Sequence, residues 1–207
     1  MSYSFTDLIA ELNVSRETSD RLEIYGQLLT KWQKAKNLVS NSTLDDIWRR
    51  HFLDSAQLVP LLRGVFGEKP ISMLDIGSGA GFPGLVLASM NIGTAHMVES
   101  VGRKCVFMRQ VVRETGADAI VHNVRVEEIE TFDVDIITSR ACARVAQLLT
   151  WSEPFLAQSP EIWLLKGEGA EEELTEAQAY WKMNIDRYPS QSDPSGVILR
   201  LRGIEKI

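Results

Sequence analysis

The chain has 207 residues, a formal net charge of −6, and ordinary globular proportions of hydrophobic (44%) and charged (24%) residues. That length suits one α/β domain with a small extension and suffices for a full core. No apolar run is long enough to span a bilayer and no signal-peptide pattern opens the chain, while the acidity argues against indiscriminate nucleic-acid binding but leaves room for a local basic patch. Cys105 and Cys142 are the two thiols. They form no C-x-x-C and have no metal-ligand spacing to His51, His96 or His122, so no metal is expected and a reducing cytoplasmic compartment fits.

The first stretch reads as helix. Leu8, Ile9 and Leu12 make a short amphipathic turn, and Ser15 is placed to cap a longer helix over residues 16–36. Leu22, Tyr25, Leu28, Leu29 and Trp32 recur along it at three- and four-residue spacing, which is one apolar face. Lys31, Lys34 and Lys36 lie where positive charge complements the helix dipole, a reading preferred to RNA contact. After a polar connection at 37–42, Thr43 and Asp46 resemble a capping box opening a helix through Ile47 and Trp48. Arg49, Arg50 and His51 are consecutive and fan around that helix, and His51 is expected to bond Asp54. They serve either as a solvated basic turn or as substrate contacts. Gly64, Gly67 and Pro70 then punctuate the chain, so residues 1–69 read as an N-terminal helical extension and residues 70–207 as one compact α/β unit.

Ile71, Met73, Leu74 and Ile76 form a short apolar run, as a buried parallel strand does. It ends in Asp75-Ile76-Gly77-Ser78-Gly79-Ala80-Gly81-Phe82-Pro83-Gly84, with Pro83 expected at the first position of the next helix. Strand, glycine turn and helix start form the nucleotide-binding corner of a doubly wound fold. Dinucleotide enzymes share this glycine pattern. Asp75 favours another ligand, because a carboxylate there suits the amino group or sulfonium of S-adenosylmethionine and repels a pyrophosphate. A second strand near Thr94–Val98 ends at Glu99, about 20 residues past the turn, where a ribose-hydroxyl acceptor belongs.

Residues 101–115 read as a helix with Cys105, Met108, Val111 and Val112 inward, so Cys105 is a core residue, and Gly116 closes it. A third strand, Ala119–His122, runs into the turn Asn123–Glu128, where Val126 could pack on an adenine ring and Glu127 accept from it. A fourth strand near Val134–Thr138 delivers Ser139-Arg140-Ala141 to the same edge, and a fifth over Glu161–Leu165 delivers Lys166-Gly167. Glu171, Glu172 and Glu173 start a further helix at its favourable acidic end. Strands near Ile185–Tyr188 and Val197–Leu201 flank a Ser/Asp/Pro/Gly loop and pair as a hairpin.

The segments Trp32–Leu38, Arg50-His51-Phe52-Leu53-Asp54-Ser55, Asp75–Gly84, Arg125–Glu128, Ser139–Ala141 and Leu165–Gly167 occur in an order that resembles the bacterial RsmG (GidB) family, over nearly the whole chain. The resemblance implies an α/β, Rossmann-like class I S-adenosylmethionine-dependent methyltransferase with an N-terminal helical extension. It implies N7 methylation of one guanine in the decoding region of 16S ribosomal RNA, the partner being that RNA or the small ribosomal subunit. It also implies cofactor contacts at Gly77, Phe82, Val126, Glu127 and Arg140, to which Asp75, Gly79 and Glu99 are added from the reading above. Arg49, Arg50, His51 and Lys166 are the expected RNA contacts. Ser78 and Ala80 fill variable loop positions, and Cys142 stands where the family often has an aromatic residue. A monomer with no membrane association is expected.

Guanine N7 carries an in-plane lone pair and no proton, so its methylation needs alignment and no general base, and no catalytic residue is nominated. Ser139-Arg140-Ala141-Cys142 replaces the D/N-P-P-Y of many amine methylases, and Cys142 lacks the preceding proline of a pyrimidine-C5 nucleophile. A small-molecule methyltransferase, a dehydrogenase and a non-catalytic RNA-binding protein remain the competing readings. Arg140 has three candidate roles: holding the cofactor carboxylate, gripping RNA, or pairing with Glu127 or Glu128.

Overall fold

Seven strands joined by helices make one sheet in the computed structural model, which describes residues 3–207 except the side chains of Ala35, Lys36, Asn41 and Ser42. The strands are β1 (Ile71–Ile76), β2 (Gly93–Val98), β3 (Ala119–His122), β4 (Ile136–Arg140), β5 (Glu161–Lys166), β6 (Trp181–Pro189) and β7 (Val197–Lys206). Their order is β3-β2-β1-β4-β5-β7-β6. β1 to β5 run parallel, and β7 enters antiparallel between β5 and β6. The chain therefore reverses direction across the sheet between β1 and β4, which is where doubly wound folds open a crevice for ligands. The final hairpin is longer than the two short strands expected from the sequence.

Alternate residues of the parallel strands feed two cores, as the period of two requires. Met73, Met97, Ile136 and Trp163 face one side, while Leu74, Val98, Ile137 and Leu164 face the other. The second side is covered by α7 (Val145–Ser152) and α8 (Ala170–Gln178), through Leu148, Leu149 and Leu174. The first side takes α5 (Gly84–Ser89), α6 (Gly102–Thr115) and the N-terminal helices α1 (Phe5–Leu12), α2 (Arg16–Lys36), α3 (Asp54–Ala56) and α4 (Leu58–Phe66). Leu8, Leu22, Tyr25, Leu29 and Phe52 are buried in the same core as Met73 and Phe107. No helix among the described residues is long and apolar enough to cross a membrane.

Ser15 accepts from the Thr18 N–H and caps α2 as expected. Thr43 does not cap a helix. Residues Asn41–Asp46 form a 3₁₀ turn, and the chain continues as a π-helical turn over Trp48–Leu53. The Thr43 hydroxyl instead donates to the Ser40 carbonyl at 2.8 Å and meets the ring of His51, partners a cap would have forgone. π-turns often mark functional positions, because the wider turn re-aims consecutive side chains.

Trp48 pins this segment to α1 and α2. Its ring lies 4.9 Å from Phe5 and 4.6 Å from Phe52, centroid to centroid, and it rests on bare backbone at Gly26. A methyl group at Gly26 would sit 2.1 Å from the indole. Gly26→Ala should therefore lower stability by about 1–3 kcal/mol through overpacking, measured as a shifted denaturant midpoint with an unchanged slope.

Candidate active site

The turn after β1 is held from below by Asp75. This residue is fully buried and shares a sheet face with Met73, so its carboxylate points at the start of α5. One oxygen accepts from the Thr138 hydroxyl on neighbouring β4 at 2.8 Å, the other from the Gly84 N–H at 3.3 Å. Burial raises its pKa, against the pull of these bonds and of the Arg140 charge. The sequence placed this carboxylate to meet a cation of the ligand; in the structure its partners are the loop, β4 and the field of Arg140.

From above, the Tyr25 hydroxyl donates to the Ala80 carbonyl at 2.5 Å, and the Tyr25 ring stacks on Phe82 at 5.2 Å. Gly77 adopts φ +69°, and a side chain there would strike the Cys142 sulfur. Beside Gly79 the space is open, since an added methyl would meet only the Gly77 carbonyl, at 3.9 Å. Glu99 ends β2 and is nearly buried. Its oxygens accept from the Gly79 N–H at 3.0 Å and the Val101 N–H at 2.8 Å. Each oxygen keeps a further lone pair for a ligand hydroxyl. Val126 and Glu127 lie on a 3₁₀ turn past β3, tied to this corner through Asn123, which donates to the Glu99 carbonyl at 3.1 Å. Glu127 is exposed and accepts from the Trp151 indole N–H.

Arg140 ends β4 and joins the glycine loop to the N-terminal segment. Its guanidinium lies 5.0 Å from the centre of the Phe82 ring, donates to the Arg50 carbonyl at 2.9 Å and pairs with Asp54 at 3.3 Å. A further N–H meets His51 Nδ1 at 2.9 Å. Pairing of Arg140 with Glu127 or Glu128 does not occur; Asp54 holds it instead, because the π-turn carries Asp54 over the end of β4. The expected His51–Asp54 bond is likewise absent, Arg140 taking the imidazole nitrogen. Since a guanidinium only donates, His51 Nδ1 is an acceptor, the proton is on Nε2, and Nε2–H donates to Thr43 at 2.8 Å. Burial foremost, then the charges of Arg140 and Arg50, push the His51 pKa down to about 3.

The basic residues are less free than their sequence suggested. Arg49 donates to the Ser192 and Gln191 carbonyls, and Arg50 pairs with Asp193 at 2.7 Å, both reaching the loop between β6 and β7. Lys166 is 6% exposed, paired with Glu173 at 2.8 Å and bonded to the Ala143 carbonyl. Lys31 and Lys34 are exposed, and the Lys36 side chain lies outside the described residues. Apart from Asp75 beneath the loop and Arg49 bonded to the β6–β7 loop, the nominated residues fall into two groups. Gly77, Gly79, Phe82, Glu99, Val126 and Glu127 surround the ends of β1 to β3. Arg50, His51 and Lys166 surround a cavity above β4, β5 and β7, with Arg140 at the junction. Sequence reading missed Tyr25, which passed for one more apolar position on α2, and the roles of Gln57 and the Ser190–Asp193 loop. That loop's run of small polar residues marked a turn but gave no sign of where it docks.

This strand order, with a glycine turn after the first strand and an acidic residue ending the second, defines a class I methyltransferase fold. Solved structures agree. Magnesium protoporphyrin IX methyltransferase of Synechocystis PCC 6803 superposes with TM-score 0.61 at 10% identity, over 86% of this chain and 97% of that one. The plantazolicin methyltransferase BpumL gives 0.58 at 12%, over 91% and 99%. Residues 18–192 match the family described as rRNA small subunit methyltransferase G. Relatives bearing the name ribosomal RNA small subunit methyltransferase G include those of Rhodospirillum rubrum, 48% identical over 95% of this chain and 96% of its own, and Paramagnetospirillum magneticum, 46% identical over 97% and 96%. The chain belongs to the rRNA small subunit methyltransferase G family. It is an S-adenosylmethionine-dependent methyltransferase, and the open side of Gly79 and the spare lone pairs of Glu99 fit such a cofactor.

The neutral state of His51 is measurable. Its folded pKa of about 3 lies below the ordinary value of 6.5, so the folded chain binds fewer protons between the two and loses stability as pH falls through that window. Nitrogen-detected NMR should show an Nε2–H imidazole at His51 with no titration from pH 8 to pH 5, while the unfolding midpoint falls across the lower part of that range.

Proposed function

We propose that this protein transfers a methyl group to N7 of one guanine in the decoding region of 16S ribosomal RNA, acting on that RNA or the small ribosomal subunit. Membership of a family named for ribosomal RNA methylation supports the RNA substrate. The observation that carries the N7 reading is that the imidazole beside Arg140 is not free to act as a base, since both His51 nitrogens are committed. Exocyclic amines must lose a proton on methylation, whereas N7 has none to lose.

When bound, S-adenosylmethionine supplies the methyl group, whose bond to sulfur breaks as the N7 lone pair forms a bond to its carbon. The chain's part is to hold and align. The turn at Gly77 and Gly79 lets backbone approach the cofactor, Glu99 receives the ribose hydroxyls, Val126 and Glu127 flank the adenine, and Arg140 takes the carboxylate. Asp75 acts through the loop it supports. The methylated base becomes a cation, and Asp54 offsets the charge of Arg140 next to it, so the product does not face an unbalanced positive field. Arg49, Arg50, His51 and Lys166 form the RNA side in this reading, with Arg49 and Arg50 nearest the surface. We assign the chain to the cytoplasm, as a monomer whose residues 1–69 form a helical extension on the 70–207 unit.

Small subunits lacking the modification, incubated with tritium-labelled S-adenosylmethionine and then digested, should yield label as 7-methylguanosine from a single site. Label in any other nucleoside, or none, would overturn the assignment. Glu99→Ala should raise the cofactor Kd about tenfold or more, since bonds to a charged acceptor contribute about 1.5–3 kcal/mol. Unchanged calorimetric affinity would remove Glu99 from the cofactor site.

A further inference from the structure

A cavity of about 310 Å³ lies between the ends of β4 and β5, the Arg50–Gln57 segment and the loop joining β6 to β7. Its volume is at the low end for ligand pockets, which suits one flat heterocycle. Ala141, Leu165 and Ile198 give it apolar surface, and Asp54, Gln57 and Ser192 give it a polar edge. Among the residues lining it, Arg140 and His51 also touch the glycine loop, both through Phe82. The cavity is therefore next to the proposed cofactor site and separate from it.

The polar edge is rich in acceptors. Asp54 Oδ1 accepts from Gln57 at 3.0 Å and from Ser192, while Oδ2 has one long contact, 3.3 Å from Arg140. A carboxylate oxygen takes two hydrogen bonds, so Oδ2 has room for another donor. Asp193 pairs with Arg50 across the rim and leaves a second carboxylate at the mouth. The cations lining this space, Arg50, Arg140 and Lys166, all have carboxylate partners. Such a space favours a neutral planar ligand with N–H groups along one edge.

We propose that this cavity receives the target guanine, turned out of the RNA, and that Asp54 accepts from its 2-amino group through Oδ2 as the specificity-determining residue. The proposal rests on the guanine-N7 reading above and adds where the base sits and how it is told from adenine. A base that is modified must leave its stack, and its Watson–Crick edge is then free to be read. In guanine that edge lies across the ring from N7. With that edge against Asp54, N7 lies on the opposite side of the ring from the carboxylate. Adenine has no N1–H and would turn a lone pair toward the carboxylate, which is repulsive. The loop at Ser190–Gly196 forms the roof, fastened by Arg49, Arg50 and Gln57.

The experiment compares small subunits carrying guanine or inosine at the target, inosine lacking only the 2-amino group. In single-turnover assays at saturating cofactor, the wild-type protein should methylate inosine about tenfold to a hundredfold more slowly, the usual range for a carboxylate contact to a base edge. Asp54→Asn, assayed at saturating cofactor, should slow guanine by a similar factor and bring the guanine-to-inosine ratio close to one. Because Asp54 also holds Arg140 and Ser192, a second variant, Val197→Trp, fills the cavity from the β7 side and leaves the Asp54 side chain in place; it should bind cofactor normally and lose transfer. Guanine transfer with an undiminished ratio in Asp54→Asn, or normal transfer by Val197→Trp, overturns this proposal and leaves the N7 reading intact. No wild-type transfer to guanine overturns both.

Discussion

A buried carboxylate with too few donors for comfort sets the geometry of this molecule. Asp75 sits at zero exposure, and its two oxygens join the end of β4, through Thr138, to the first turn of α5, through Gly84. An ionised group in that position is costly unless its surroundings are arranged around it. The arrangement it imposes is the sharp return of the chain from β1 into α5. Tyr25 closes the same turn from the opposite side, with a hydroxyl on Ala80 and a ring on Phe82. The glycine loop is thus clamped between the sheet and the N-terminal helices, and residues far apart in sequence share one rigid corner.

Arg140 transmits that rigidity to the second half of the site. One face of its guanidinium rests near Phe82, while its N–H groups are taken by the Arg50 carbonyl, Asp54 and His51. His51 can fill this role only as the neutral ring. A proton on Nδ1 would set two cations against each other, and burial first, then the charges of Arg140 and Arg50, hold the His51 pKa down. The relay runs onward through Thr43 to the Ser40 carbonyl. Positioning by one carboxylate and two neutral acceptors keeps the local net charge small.

The parallel strands, the long α2 and the glycine turn were legible in the sequence because each rests on local signals: apolar runs, a 3.6-residue period, punctuating glycines. The place of Glu99 just past β2 was legible for the same reason, from its distance past the turn. What stayed hidden depends on contacts across the chain. The π-turn at Trp48–Leu53 has no pattern of its own, and it decides that Asp54, not Glu127 or Glu128, reaches Arg140. Thr43 matched a helix-cap pattern, yet its hydroxyl finds the ring of His51. Lys166 read as a free cation at the end of β5, because Glu173 and the Ala143 carbonyl enter its surroundings only once α8 has folded over the sheet.

The fastening of the β6–β7 loop to the π-turn has a consequence for how the protein is made. Arg50 and Asp193 are separated by 143 positions in the chain, and Gln57 and Gln191 by 134. The residues of the corner built from β1, β2 and β3 are all synthesised well before residue 190, and a domain folds as a unit once its chain is present. The cavity roof arrives last. A chain truncated before residue 190 would lack the walls contributed by Ser190, Asp193 and Ile198 and the strand β7 between β5 and β6, so the cavity needs nearly the whole chain to have been made.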